Sequence, residues 1–272
     1  MPVIIDGTNG VSTPNTFAFK NRIIDGGFTI NQRGYTSGTS LSSGSYGHDR
    51  WKGGASGGTY TFTQGSTGVN TTITITAGSI IQVIEGANLP EGGTYVLSWT
   101  GTAQGKIGSG SFGASGITGT ITAGTNTNIE FNTGTCGNVQ LEVGSTATSF
   151  DYRPYGTEFD LCRRYFEILR LANNNTSNQY VAVGTGMAWS ATDVRVTLGY
   201  YPKRTLTTCA MSGSIRFQTS GGGQTLTSFL FDAPGLNNVL MYNASTSGFT
   251  TGQALQLTAE NTSSFISFSA EL

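Results

Sequence analysis

The sequence predicts an all-β protein: two antiparallel β-sandwich or jelly-roll-like domains joined by one short α-helix. Three observations carry this. Short runs of period-two alternation recur along the chain, clusters of Gly, Ser and Asn separate them, and one charged stretch near the middle breaks the pattern. The 40 glycines and 11% charged residues in 272 suit turn-rich β structure. Aromatics at 11% argue against a disordered chain, which lacks such residues. This length can bury two cores of ordinary size.

Taken in order, residues 1–20 read as an attachment arm, with the apolar run Val3, Ile4 and Ile5 followed by turn residues and Pro14. Residues 21–156 form the first domain, with strands expected in TYTFTQ, TTITITA, IIQVIEG, TYVLSWTGT, ITGTIT and NVQLEVG. Its glycines fall mostly between strands, where turns need positive φ. Pro154 bars a helix from starting just before it, and Thr157 can cap one, with Asp160 at the acidic position of a capping box. Phe159, Cys162, Phe166 and Leu169 then share one helical face, while Glu158, Arg163, Arg164, Glu167 and Arg170 lie largely elsewhere. Asn173 to Asn175 end this connector helix. Arg163, Arg164 and Glu167 offer either a subunit contact or a solvated face. Residues 157–272, led by the helix, form the second β-rich domain, with strands expected in QYVAVGTGMAWS, DVRVTLGYYP, SIRFQTS, TLTSFLF, NVLMYN, QALQLTA and SFISFSAEL.

A net charge of −1 gives no basic field for a phosphate backbone, so nucleic acid is not an expected partner. No apolar run approaches the ~18 residues of a membrane span, and MPVIIDGTNG lacks the regions of a signal peptide, so neither membrane insertion nor conventional secretion is expected. Cys136, Cys162 and Cys209 are odd in number and far apart, which suits buried thiols better than disulfides or zinc.

Catalytic patterns are weak. His48 is the single histidine, and Asp49 beside it on a strand would point the other way, so a Ser-His-Asp triad has no frame. GSGSFG at 108–113 satisfies a dinucleotide-binding pattern, with Glu130 downstream, but no helix-forming sequence follows it. Asp25, Asp49, Glu85, Glu91, Glu130, Glu142 and Asp151 form no recognisable acid pair for glycan hydrolysis. Sugar binding needs an aromatic platform with polar groups beside it; the aromatic candidates are Tyr35, Tyr46, Trp51, Tyr60 and Trp99, of which Tyr35, Tyr46 and Trp51, with Asp49, are the site residues expected. Alternation in HDRWK favours the core for Trp51 with His48 or Asp49 outside, and Trp99 shares a face with Tyr95 and Leu97. No cofactor is implied, and a calcium held by carbonyls and Asp25 or Asp151 is an open alternative.

The blocks NRIIDGGFTINQRG (21–34), YGHDRWKGG (46–54) and QLEVGSTATSFDYRPYGTEFDLCRRYFE (140–167) resemble a group of bacteriophage tail-fibre and virion surface proteins. The half from ATDVRVTLGYYPKRTLTT to SFISFSAEL is also similar to C-terminal domains that follow such a helix in phage proteins. The resemblance implies a jelly roll like those of carbohydrate-binding modules, a homotrimer, and a place on the virion surface among tail or major capsid proteins. The expected function is a non-enzymatic, tail-fibre-like virion protein that aids adsorption to a host surface glycan. A capsid decoration or cement protein, attached through the arm, is the alternative, and a glycan depolymerase is a third.

Overall fold

The computed structural model describes residues 4–6, 10–12, 19–170, 182–259 and 264–272. It divides into two compact units, residues 1–162 with Leu272 and residues 163–271. Both are antiparallel β-structures, and the single α-helix among the described residues falls at the division. No helix among these residues is long and apolar enough to cross a membrane.

In the first unit, β1 (Ile4–Asp6) pairs with β2 (Gly10–Ser12). Of the arm residues singled out, Ile4 and Ile5 lie in β1, and Val3 lies outside the described residues. The strands that follow are β3 (Ser40–Leu41), β4 (Lys52–Thr61), β5 (Ile73–Ile84), β6 (Gly93–Thr100), β7 (Gly105–Ile107), β8 (Ile117–Ile121), β9 (Thr127–Phe131) and β10 (Gly134–Val143). TTITITA and IIQVIEG, expected as separate runs, belong to the one strand β5. Gly78 within it has φ 65° and lies beside a register shift against β4, so an apparent turn signal is a bulge.

One layer runs β3-β4-β5-β9-β7 and the other β10-β6-β8. They are joined where Gly134 to Cys136 of β10 pair with Ile73 to Ile75, before Gln140 to Val143 pair with β6. A strand that changes partners in this way curls the sheet around one core. Ile73, Ile75, Ile80, Tyr95, Leu97, Trp99, Ile129, Phe131 and Leu141 fill that core. Trp99 is therefore a core residue, its Nε1 donating to the Ala103 carbonyl at 3.0 Å. The GSGSFG stretch is the loop between β7 and β8.

The helix α1 (Tyr155–Arg163) starts before Thr157 and ends sooner than its apolar spacing predicted. Phe166 to Arg170 form a strand instead, β11 (Phe166–Arg170). The remaining strands are β12 (Ala182–Ala188), β13 (Val194–Gly199), β14 (Thr208–Ser212), β15 (Ile215–Thr219), β16 (Gly222–Leu226), β17 (Leu230–Asp232), β18 (Asn238–Asn243), β19 (Ala254–Ala259) and β20 (Phe265–Ser269). All five residues of β11 pair with β20. That ladder outweighs a helical periodicity of only three turns, because short helices depend on tertiary packing for their stability. Asn173 to Asn175, the expected helix end, lie outside the described residues.

The second unit packs a three-stranded sheet, β11-β20-β14, over a seven-stranded one, β16-β15-β19-β12-β13-β18-β17. Val194, Val196, Leu198, Phe217, Met241 and Leu257 of the larger sheet meet Ile266 and Phe268 of β20 in its core. Cys136 and Cys162 are buried free thiols, and Cys209 is half-buried.

Candidate functional site

The aromatic platform expected in the first unit is packed into its core. His48 to Arg50 form turns, not strand. Trp51 N–H donates to the His48 carbonyl at 3.0 Å, and Arg50 takes φ 71°. The turn abolishes the alternation that would have placed His48 or Asp49 outside, and His48, Asp49, Arg50 and Trp51 are all buried. Trp51 lies 4.9 Å from Phe28 and donates from Nε1 to the Asp25 carbonyl at 3.0 Å. Asp49 accepts the Gln32 backbone N–H at 3.1 Å, and the Arg33 guanidinium sits 3.6 Å away. Neither Asp49 nor Trp51 can contact a glycan from these positions. Tyr35 is only 9% exposed and packs against Tyr60, ring centres 4.6 Å apart and planes tilted by 36°. Tyr46 is half-buried, with Arg33 at 4.8 Å and Lys52 at 5.8 Å from its ring centre. The four residues therefore do not make one platform. His48 meets the Tyr60 hydroxyl at 2.9 Å and Gln64 at 3.3 Å, and burial pushes its pKa down to about 4.

The motif blocks do converge, but on a clamp. Asn21 donates from Nδ2 to the Val139 carbonyl at 3.0 Å and accepts Ile23 N–H and Leu141 N–H at 2.9 and 3.0 Å. It thereby closes the irregular step in β10, where pairing with β6 shifts between Gly137 and Gln140. Arg153 donates to the carbonyls of Asn21 and Ile23 and to Glu158, whose carboxylate accepts the Asp25 N–H. Asp25 turns its own Oδ1 onto Thr29 N–H at 2.7 Å and Ile30 N–H at 3.2 Å. Burial raises its pKa well above the usual carboxylate range, and Asp49 and Glu158 add to the rise. The cavity along this seam, lined by Asn21, Gly26, Asp151, Arg153 and Glu158 among others, measures about 40 Å³. That holds a few waters and no sugar ring. Asp25, named with Asp151 as an alternative calcium ligand beside carbonyls, commits Oδ1 to its own loop, and among the described residues no group of three or more His, Cys, Asp or Glu is placed to hold a metal.

The charges assigned to subunit contact are engaged within the second unit. Glu167 bonds Arg163 at 2.6 Å and Lys203 at 2.8 Å. Arg163 stacks over Tyr201 at 4.8 Å, and the Arg164 guanidinium lies 6.0 Å from the ring centre of Tyr165.

An exposed aromatic site does exist, on the outer face of the seven-stranded sheet. Val194, Val196 and Leu198 of β13 point inward, so Arg195 and Thr197 point out. Met187 pairs with Arg195 across the strands, Arg195 with Tyr242, and Tyr242 with Leu230. One turn residue beyond β12, Trp189 is 56% exposed, and Met187 is 42% exposed. Arg195 stacks on Trp189 at 4.5 Å and is held by Asp193, with Nε at 3.1 Å and Nη2 at 2.7 Å from Oδ2. Met187, Trp189 and Arg195, with Thr185, Gly186, Thr197 and Leu240, line a trough of about 460 Å³.

No protein-family model matches the chain, and no curated protein matches it either. Trp189, Met187 and Arg195 were missed from sequence. Their signal was present in QYVAVGTGMAWS followed by DVRVTLG: two segments of one hairpin, with Met187 and Trp189 on the same parity and opposite to Ala188.

Proposed function

We propose that this protein is a non-enzymatic component of a phage virion surface that binds a glycan of the host envelope. The observation that carries the reading is the Trp189 trough: an exposed ring backed by Arg195, next to Met187 and two threonines. An aromatic face beside hydrogen-bonding groups is what a pyranose requires. The virion setting comes from the resemblance of the blocks at 21–34, 46–54 and 140–167, and that resemblance also implies a homotrimer.

The architecture is consistent with such a role. The seven-stranded sheet of the second unit, backed by its own apolar core, supports the surface site, and the clamp residues of the motif blocks brace the first unit. His48 bonds Tyr60 and Gln64, which leaves no charge relay for hydrolysis built on it.

The test has two arms. Purified protein should bind bacterial cells of the phage's host, and periodate oxidation of the cell-surface glycans should abolish that binding, as should Trp189→Ala. Copy counting in cryo-electron micrographs of the particle should place it at the tail. Binding unaffected by both treatments would overturn the glycan reading, and many copies spread over the shell would make the protein a capsid decoration.

A further inference from the structure

The trough at Trp189 does not stand alone. A second trough of about 540 Å³ adjoins it, sharing Thr185 and Gly186 and lined otherwise by Gln218, Thr219, Ser220, Ala254, Leu255 and Gln256. The register explains why the two are continuous. Gln218 pairs with Gln256, and Gln256 with Thr185. Across the next strand pair Gly186 faces Val196, which brings Thr185 level with Thr197, and Thr197 pairs with Leu240. Directly paired residues in antiparallel strands share a face, so Gln218, Gln256, Thr185, Thr197 and Leu240 form a straight outward row over five adjacent strands. A parallel row, Ala254, Met187, Arg195 and Tyr242, borders it, with Trp189 at its margin.

Resting on the glycan reading above, we propose that this face is an extended site for an uncharged linear oligosaccharide lying across the strands, with about one sugar over each. The strand spacing of ~4.8 Å matches the advance of one pyranose in an extended chain, and five strands give a row of about 19 Å. The chemistry of the lining selects the class of ligand. The second trough has no charged residue. In the first, the one cation, Arg195, is neutralised by Asp193. Arg216, on the same face of β15, lies beside the row and donates from Nε to Gln218 Oε1 at 2.8 Å, but the residues that line the second trough are amides, hydroxyls and apolar groups, which suit a chain of sugar hydroxyls. Among the described residues Nη1 of Arg195 has no hydrogen-bond partner, because Asp193 takes only Nε and Nη2. It is left to donate to a sugar that packs beside Trp189. The geometry assigns Trp189 and Arg195 to anchoring one unit, and Gln256 to reading units further along, beside Gln218, whose amide is oriented by Arg216 Nε on its Oε1 at 2.8 Å and by its Nε2 on the Thr219 carbonyl at 3.1 Å.

The test uses the full chain and a panel of uncharged oligosaccharides, glucose-, mannose-, galactose-, N-acetylglucosamine- and rhamnose-based, with a uronic-acid-based series as the acidic counterpart, each from one to six units, measured by calorimetry. In at least one series the affinity should rise with length up to four or five units, tenfold or more overall, and then level off. Trp189→Ala should abolish binding at every length. The double substitution Gln218→Ala with Gln256→Ala should weaken the four- and five-unit ligands at least tenfold and leave the one- and two-unit ligands within twofold. Circular dichroism and a melting scan confirm that each variant is folded. Affinity independent of length, or a double variant that binds long ligands normally, overturns the extended site and leaves glycan binding standing. Binding to acidic oligosaccharides alone overturns the neutral assignment. Failure to bind any series, together with periodate-insensitive cell binding, removes the glycan reading itself.

Discussion

His48 and Asp25, both buried in the first unit, carry opposite pH dependences. Desolvation lowers His48 from its usual 6.5 to about 4, so between those values the unfolded chain binds the proton and the folded one does not. The stability that this provides is complete above pH 6.5 and is lost as pH falls toward 4, by about 3 kcal/mol in all. Asp25 is raised instead, so its burial costs stability at pH values above the ordinary carboxylate range and the cost is relieved on acidification. His48→Gln should flatten the loss of stability between pH 6.5 and 4 in urea titrations, and Asp25→Asn should steepen it. If both variants keep the wild-type slope, neither group is buried as described. Packing at this scale is equally exacting. A Cβ on Gly26 would lie 2.2 Å from the Val139 carbonyl oxygen, at the step that Asn21 closes. Gly26→Ala should therefore cost about 1–3 kcal/mol, the usual effect of overpacking, and an unchanged denaturation midpoint would show that the seam yields.

Among the elements, β11 departs furthest from the periodicity of its sequence. Phe159, Cys162, Phe166 and Leu169 do fall at helical spacing, but only the first two lie in α1. Beyond Tyr165 the chain joins β20, and Glu167 then pairs with Lys203, whose side chain is wholly buried. Glu167→Ala would leave that ammonium without its carboxylate, and a loss of about 3–5 kcal/mol is expected. Lys203→Met in the same chain should restore much of it, since an apolar residue needs no counter-charge. Equal instability of the single and double variants in guanidinium unfolding would mean that the pair contributes little and that the strand is held by its ladder alone.

For the whole molecule, the two compact units with separate cores should give two calorimetric transitions. Gly26→Ala should lower one of them and Glu167→Ala the other. A single transition shifted by both substitutions would show that the units melt as one. Trp189→Ala removes a ring that is mostly in water, so both transitions should stay within about 0.5 kcal/mol of wild type. This separates loss of binding from loss of fold.

The all-β class, most of the strands and the core placement of Trp99 were legible because alternation and turn residues are local signals. So was the clustering of charge after residue 150, although its meaning was not. A three-turn apolar spacing cannot show that β20 waits to pair with Phe166 to Arg170, and HDRWK reads as a strand until Arg50 is seen at positive φ. The candidate site was less legible still. Sequence identifies aromatic residues, but whether a ring is buried or exposed depends on the layer that covers the sheet. Trp51 has Phe28 and Phe131 against it, while Trp189 has Arg195 on its ring and is 56% exposed. The sequence alone determined that this chain folds as turn-rich β-structure with little charge. Which strands adjoin, and so which side chains meet in rows on an open face, was decided by pairing between residues far apart in the chain.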